Sequence, residues 1–171
     1  MVIRMKEIMN SEQLARTLKR MTHEIIERNN DLSELVFVGI LRKGYPIAQM
    51  LSDNLSRFAE VKVPVYGLDI HSYRDDIFEK VKPSIDTIDI HKKNVILVDD
   101  VLYTGRSVRA AMDALKDHGR PNQIQLAILI DRGHRELPIR ADYIGKNIPT
   151  SRHEKILVNL DNLTVTLIEN K

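Results

Sequence analysis

Two adjacent carboxylates, Asp99 and Asp100, end a four-residue apolar run, Val95-Ile-Leu-Val98. Val101, Leu102 and Tyr103 lead from them into a short turn of Thr104, Gly105, Arg106 and Ser107. An ionised carboxylate only accepts hydrogen bonds, so its natural partners are donors such as vicinal sugar hydroxyls. The turn offers the complementary chemistry. Thr104 and Ser107 carry hydroxyl donors, and Gly105 lets the backbone approach closely or take a positive φ. Val108, Ala111, Met112 and Leu115 then repeat at helical spacing, which starts a helix near Arg106 and Ser107. Free amides at a helix N-terminus favour an anion. Hydroxyl acceptors beside an anion cradle point to a ribose phosphate.

A second junction, Gly39-Ile-Leu-Arg-Lys-Gly44, holds two cations between two glycines. Its loop amides with Arg42 and Lys43 suit a pyrophosphate, although a βα turn with solvated cations has the same composition. The span is that of a Walker loop, but Tyr45 stands where that loop needs lysine, and no G-x-G-x-x-G occurs. Residues 71–93 are polar, charged and too long for an ordinary connection, which suggests a flexible lid. Arg74 stands at its start.

Elements that could position these groups follow from the hydrophobic pattern. Asn10 or Ser11 can cap a helix to about Arg28 with Leu14, Leu18, Met21 and Ile25 as its apolar stripe. A helix from Tyr45 to about Ala59 turns Ile47, Met50, Leu51 and Leu55 inward. Residues 35–40, 95–98 and 124–130 are apolar runs of the kind buried on both faces of a parallel sheet. A strand over 61–70 is interrupted or begun near Pro64, and 141–144, 156–160 and 163–168 are short strands. The alternation predicts one α/β domain over residues 1–171, a mostly parallel sheet flanked by helices. The strand-rich tail predicts a small hood, about residues 131–160, over the carboxyl edge. In open α/β sheets ligands sit at that edge, where Asp99 and Asp100 fall.

Composition narrows the class further. A chain of 171 residues with 43% hydrophobic and 29% charged residues is ordinary for a globular protein. The net charge of +2 means that any nucleic-acid surface must be a local patch. Without cysteine there are no disulfides and no thiolate metal sites. No apolar run reaches bilayer length, and no signal peptide is evident, so a cytoplasmic enzyme with no membrane partner is expected.

The Asp99-Asp100 pair and the 104–107 turn resemble the 5-phosphoribosyl-1-pyrophosphate (PRPP) loop of type I phosphoribosyltransferases. The segment Asp131-Arg-Gly-His-Arg-Glu-Leu-Pro-Ile-Arg-Ala-Asp-Tyr-Ile-Gly-Lys-Asn-Ile-Pro-Thr150 is more specific. It resembles the pyrimidine operon attenuator and uracil phosphoribosyltransferase family over nearly the whole chain. The resemblance implies the type I phosphoribosyltransferase fold and conversion of uracil and PRPP to UMP and pyrophosphate. Asp99 and Asp100 would hold the ribose hydroxyls, and Thr104, Gly105, Arg106 and Ser107 the 5-phosphate. PRPP or UMP would also touch Arg42, Lys43, Val101, Leu102 and Tyr103. Lys43 stands where many relatives carry arginine in the pyrophosphate loop, and Arg74 matches the lid arginine. Arg132, His134 and a backbone group near Ile156 would meet the base. Magnesium is expected through PRPP and water rather than a dedicated protein cage.

The same resemblance implies a second activity, UMP- or UTP-dependent binding of pyrimidine operon leader mRNA with transcriptional attenuation. Between Arg132 and Lys155 there are six Lys/Arg and three Asp/Glu. The residues matching the family's RNA surface are His23, Arg28, Arg135, Arg140 and Lys146, with Lys19 where relatives commonly carry a hydroxyl. That surface has no evident aromatic platform, so recognition of loop shape and phosphates is expected over base stacking. A homodimer or tetramer is implied. The alternative is a purely metabolic phosphoribosyltransferase without RNA binding.

Overall fold

A computed structural model describes residues 2–74 and 88–170. The first strand, β1 (Val2–Met9), leads into α1 (Ser11–Arg28). Asn10 caps that helix in a reciprocal box with Gln13, which explains its sharp start. Then come β2 (Leu35–Ile40), α2 (Gly44–Ala59), β3 (Val65–Leu68) and β4 (Asn94–Leu102). The chain continues through α3 (Arg106–Leu115), β5 (Gln123–Asp131), β6 (Tyr143–Asn147), β7 (Glu154–Asn159) and β8 (Thr164–Asn170). Among the described residues no helix is long and apolar enough to cross a membrane.

Five strands form a parallel sheet in the order β3-β2-β4-β5-β6. Alternate residues of each strand serve two separate cores. Leu35, Phe37, Ile96 and Val98 join α1 and α2 on one face. Val36, Val38, Val95 and Leu97 join α3 on the other. Burial on both faces is the reason that β2 and β4 read as unbroken apolar runs.

The small sheet differs from the expected hood. Residues 131–160 do not supply it alone, because β6 pairs in parallel with β5 and belongs to the main sheet. The second sheet is antiparallel, in the order β1-β8-β7, and draws on both ends of the chain. The lid boundaries also narrow. Ile88 and Ile90 are buried in the α3-side core, so the expected lid cannot extend to 93. At the other end, the Tyr73 hydroxyl donates to Asp117 beyond α3, which pushes the phenol up to about 12. The remainder of the expected lid, 75–87, lies outside the described residues. Strand β3 is shorter than 61–70, and Pro64 precedes it, its carbonyl accepting from the Phe37 amide.

Candidate functional site

The acid pair lies within β4, because pairing with β5 continues to Leu102 rather than stopping at Val98. Each carboxylate accepts from the amide one residue on: Asp99 from Asp100, Asp100 from Val101, both at 2.8 Å. These bonds fix two acceptors at the carboxyl end of the central strand. Burial, and then the neighbouring Asp100 charge, push the Asp99 carboxyl well above the ordinary aspartate range. Arg74 acts against that shift.

Arg42, Lys43, Arg74, Asp99, Asp100 and Ser107 line one open cleft of about 750 Å³. Four elements converge there. Lys43 and Arg42 come from the β2–α2 loop, where a Cβ on Gly44 would lie 2.3 Å from the Val98 carbonyl oxygen. Only glycine allows α2 to start so close to β4. Arg74 reaches across from the helical turn over His71–Tyr73 that follows β3, and donates to Ser107 Oγ at 3.2 Å. Lys43 also reaches the second sheet, donating to the Val158 carbonyl at 2.8 Å.

The turn after β4 has Gly105 at φ 95°, immediately before α3. An L side chain there would be strained. The Arg106 amide points to Thr104 Oγ1 at 3.3 Å, and Leu102 is buried beneath the turn. A different loop clasps this turn from outside. The Thr104 carbonyl accepts from the amides of Glu136 and Leu137 at 2.9 and 3.3 Å. Arg106 Nε donates to Glu136 at 3.0 Å, a pair partly in solvent.

Arg132 and His134 are drawn to Tyr103 rather than to the acid pair. The Arg132 guanidinium lies 4.0 Å over the Tyr103 ring, and the His134 ring meets Tyr103 edge-on at 5.3 Å. Arg132 is buried, which for a cation requires compensation. It donates to Thr150 Oγ1 at 3.0 Å and to the Ser151 and Glu154 carbonyls. His134 Nε2 pairs with the Thr150 carbonyl. Tyr103, His134 and Arg135 line a second pocket of about 410 Å³ with Arg152. Ile156 lies on β7, half-buried against the α1-side core.

The expected basic residues fall into two groups. Lys19, His23 and Arg28 are exposed on α1. Helix α1 is tied to β6, which carries exposed Lys146, through Arg20 bonds to the Ile144 and Gly145 carbonyls. Arg28 pairs with Asp142 at 3.1 Å. Arg135 and Arg140 are exposed on the loop that clasps the 104–107 turn. His23 also stacks on Phe58 of α2, a ring contact that the sequence did not show. Helical periodicity within α1 could not show a partner on another helix.

Three further residues were not anticipated. Asp69 and His71 line the large cleft. Their position just beyond a parallel strand was a usable signal, but the expected strand over 61–70 ran past the true end of β3 at Leu68. Thr150 bonds both Arg132 and His134, and no spacing in the sequence marks it.

The phosphoribosyl transferase domain model matches residues 4–161. A bifunctional protein PyrR of Enterococcus faecalis is 52% identical over 160 residues, covering 91% of this chain and 90% of its own. PyrR of Clostridium perfringens is 51% identical over 165 residues, covering 93% and 92%. PyrR of Actinobacillus pleuropneumoniae is 52% identical over 158 residues, covering 90% and 88%. Among solved structures, the hypoxanthine phosphoribosyltransferase of Trypanosoma cruzi superimposes with a TM-score of 0.76 at 18% identity, covering 97% of each chain. That likeness concerns the fold.

Proposed function

Because the chain belongs to the phosphoribosyltransferase family, and within it to the bifunctional PyrR group, we propose that it makes UMP from uracil and PRPP and, holding UMP or UTP in the same cleft, binds pyrimidine operon leader mRNA to attenuate transcription. In the reaction, uracil N1 bonds to ribose C1 as the C1–O bond to pyrophosphate breaks. The leaving oxygen takes the electron pair, and the N1 proton passes to pyrophosphate or solvent. Positive charge grows on the ribose and negative charge on the leaving group.

Asp99 and Asp100 accept from the two ribose hydroxyls and favour the developing positive charge. Their short bonds to the next amides keep them aimed before substrate arrives. Thr104, Ser107 and the first amides of α3 hold the 5-phosphate. Arg42, Lys43 and Arg74 stabilise the departing pyrophosphate. A lysine ammonium has three donors, so its bond to Val158 leaves Lys43 two for phosphate oxygens. Tyr103, Arg132 and His134 with the backbone near Ile156 form the base end.

The cleft also fits magnesium, a hard cation bound by few carboxylates and otherwise by phosphate and water. Asp69, Asp99 and Asp100 are the carboxylates that line it and would help to hold the ion with PRPP and water. When bound, the ion neutralises pyrophosphate oxygens. The protein would act in the cytoplasm as a dimer or tetramer.

One observation carries the regulatory half. The 104–107 turn contributes Ser107 to the cleft and is also bonded to the loop bearing Arg135 and Arg140. A 5-phosphate on that turn therefore bears directly on the basic loop. Two measurements test the reading. PRPP-dependent UMP formation should exceed turnover of hypoxanthine or orotate, and no turnover with uracil removes the enzyme. A leader hairpin should bind more tightly with UMP than without, and equal affinities remove the switch.

A further inference from the structure

The outer face of α1 and α2 carries an aromatic pair for which the reaction has no use. The rings of His23 and Phe58 stack with centroids 4.7 Å apart and planes inclined by 12°. Phe58 is 39% exposed, among the most exposed large apolar side chains described. Burial of its free face is therefore still available to a ligand.

A groove of about 340 Å³ opens between the same two helices. Leu18 and Met50 contribute apolar floor, and Lys19 and Arg57 stand at its rim. Lys19 is one helical turn before His23, and Asn54, which also lines the groove, is one turn before Phe58, so groove and ring pair are neighbours. Asp53 also lines the groove, leaving two cations to one carboxylate. Arg57 is held in place by a 2.9 Å bond to Asn54.

A nucleobase has two apolar faces, a polar edge and a phosphate on each side. The groove offers apolar floor to the faces, Asp53 as an acceptor for the edge, and Lys19 and Arg57 for the phosphates. We propose that the His23–Phe58 pair and the adjoining α1–α2 groove form a stacking subsite for one unpaired nucleotide of the RNA ligand. It rests on the RNA-binding reading above and adds a contact that charge alone does not give. Charge complementarity selects RNA over an uncharged partner. Asp53 accepts from an exocyclic amino group, so an amino-bearing base is preferred to uracil at this position.

The test uses the full chain, UMP and a leader hairpin. Phe58→Ala should weaken binding about 5- to 150-fold, the range for loss of one stacked base. The salt slope should stay as in the unaltered chain, because no phosphate contact is lost. Lys19→Gln should instead lower that slope by about one. Placing 2-aminopurine at each loop position in turn should find one site whose fluorescence is quenched by the unaltered chain and not by Phe58→Leu. The leucine variant keeps apolar packing without a π face, and it decides the matter if the alanine variant does not fold.

Undiminished binding by both Phe58 variants overturns the subsite and leaves the RNA reading intact. No hairpin binding by the unaltered chain overturns both. A smaller sedimenting species for Phe58→Ala, with RNA binding restored at higher protein concentration, assigns the face to a second copy of this chain and also overturns the subsite.

Discussion

At the carboxyl edge of the parallel sheet, charged groups meet partners held by other elements. On the outer face of α1 and α2, Lys19 is exposed and His23, also exposed, meets the uncharged ring of Phe58. At the edge, Asp99 faces Asp100 and Arg74, Arg106 meets Glu136, and Arg132 is spent on the 150–154 loop. The difference suits two kinds of ligand. A small ligand that reacts needs groups fixed before it arrives, at a cost in strain and repulsion. A polymer that is only held can be met by side chains that adjust, with affinity supplied largely by counterion release.

The comparison breaks first at Asp100. Replacing it with alanine should lower kcat/KM for PRPP by about 100-fold, the scale of loss when a reacting group is misplaced. Initial rates of UMP formation measure this. RNA affinity without nucleotide should hardly move, and a parallel loss of both would erase the distinction between the two regions.

A middle-sized effect is expected where the regions join. Glu136→Gln keeps the shape but removes the charge that pairs with Arg106. The gain in hairpin affinity on adding UMP, about 5- to 150-fold for typical allosteric coupling, should shrink toward unity. Hairpin titrations at fixed UMP saturation measure it, with UMP formation as the control for an intact 104–107 turn. A gain equal to that of the unaltered chain would mean that the switch runs by another route.

The smallest effect sharpens the account of stored repulsion. Folded Asp99 keeps its proton to a higher pH than an unfolded aspartate does. Between those two pKa values the folded chain binds more protons, so stability falls as pH rises through that window. Asp99→Asn removes the penalty. Its melting temperature should rise at pH 8 by about 2–4 °C, the response of a chain this long to ~1 kcal/mol. The gain should vanish below the ordinary aspartate range. Thermal melts at several pH values measure it, and a gain independent of pH would exclude ionisation as the cause.

Local features were the most legible in the sequence. The acid pair, the 104–107 turn and α3 follow one another within about twenty residues, so pattern and chemistry could be read together. Arg42, Lys43 and Arg74 could be read as cations at loop positions, and the cleft gathers all three. The second sheet was harder, since β1 is charged and pairs with β8, far along the chain. β6 was placed in the wrong layer because short strands look alike until their neighbours are known. The Lys43–Val158, Arg132–Thr150 and His23–Phe58 contacts are likewise products of tertiary packing. Their residues were visible, and their pairing was not.

The pairing of β1 with β8 also sets an order of events during synthesis. Met9 leaves the ribosome more than 150 residues before Val165, its partner. At about 5–20 residues per second that interval is roughly 8–30 s. Through it β1 has no sheet to join. The parallel core can form meanwhile, since β2 to β6 are complete by Asn147. Lys43 then waits for the carbonyl of Val158. The nascent chain therefore holds its 104–107 turn before Lys43 meets β7, and the pairing of β1 with β8 follows both.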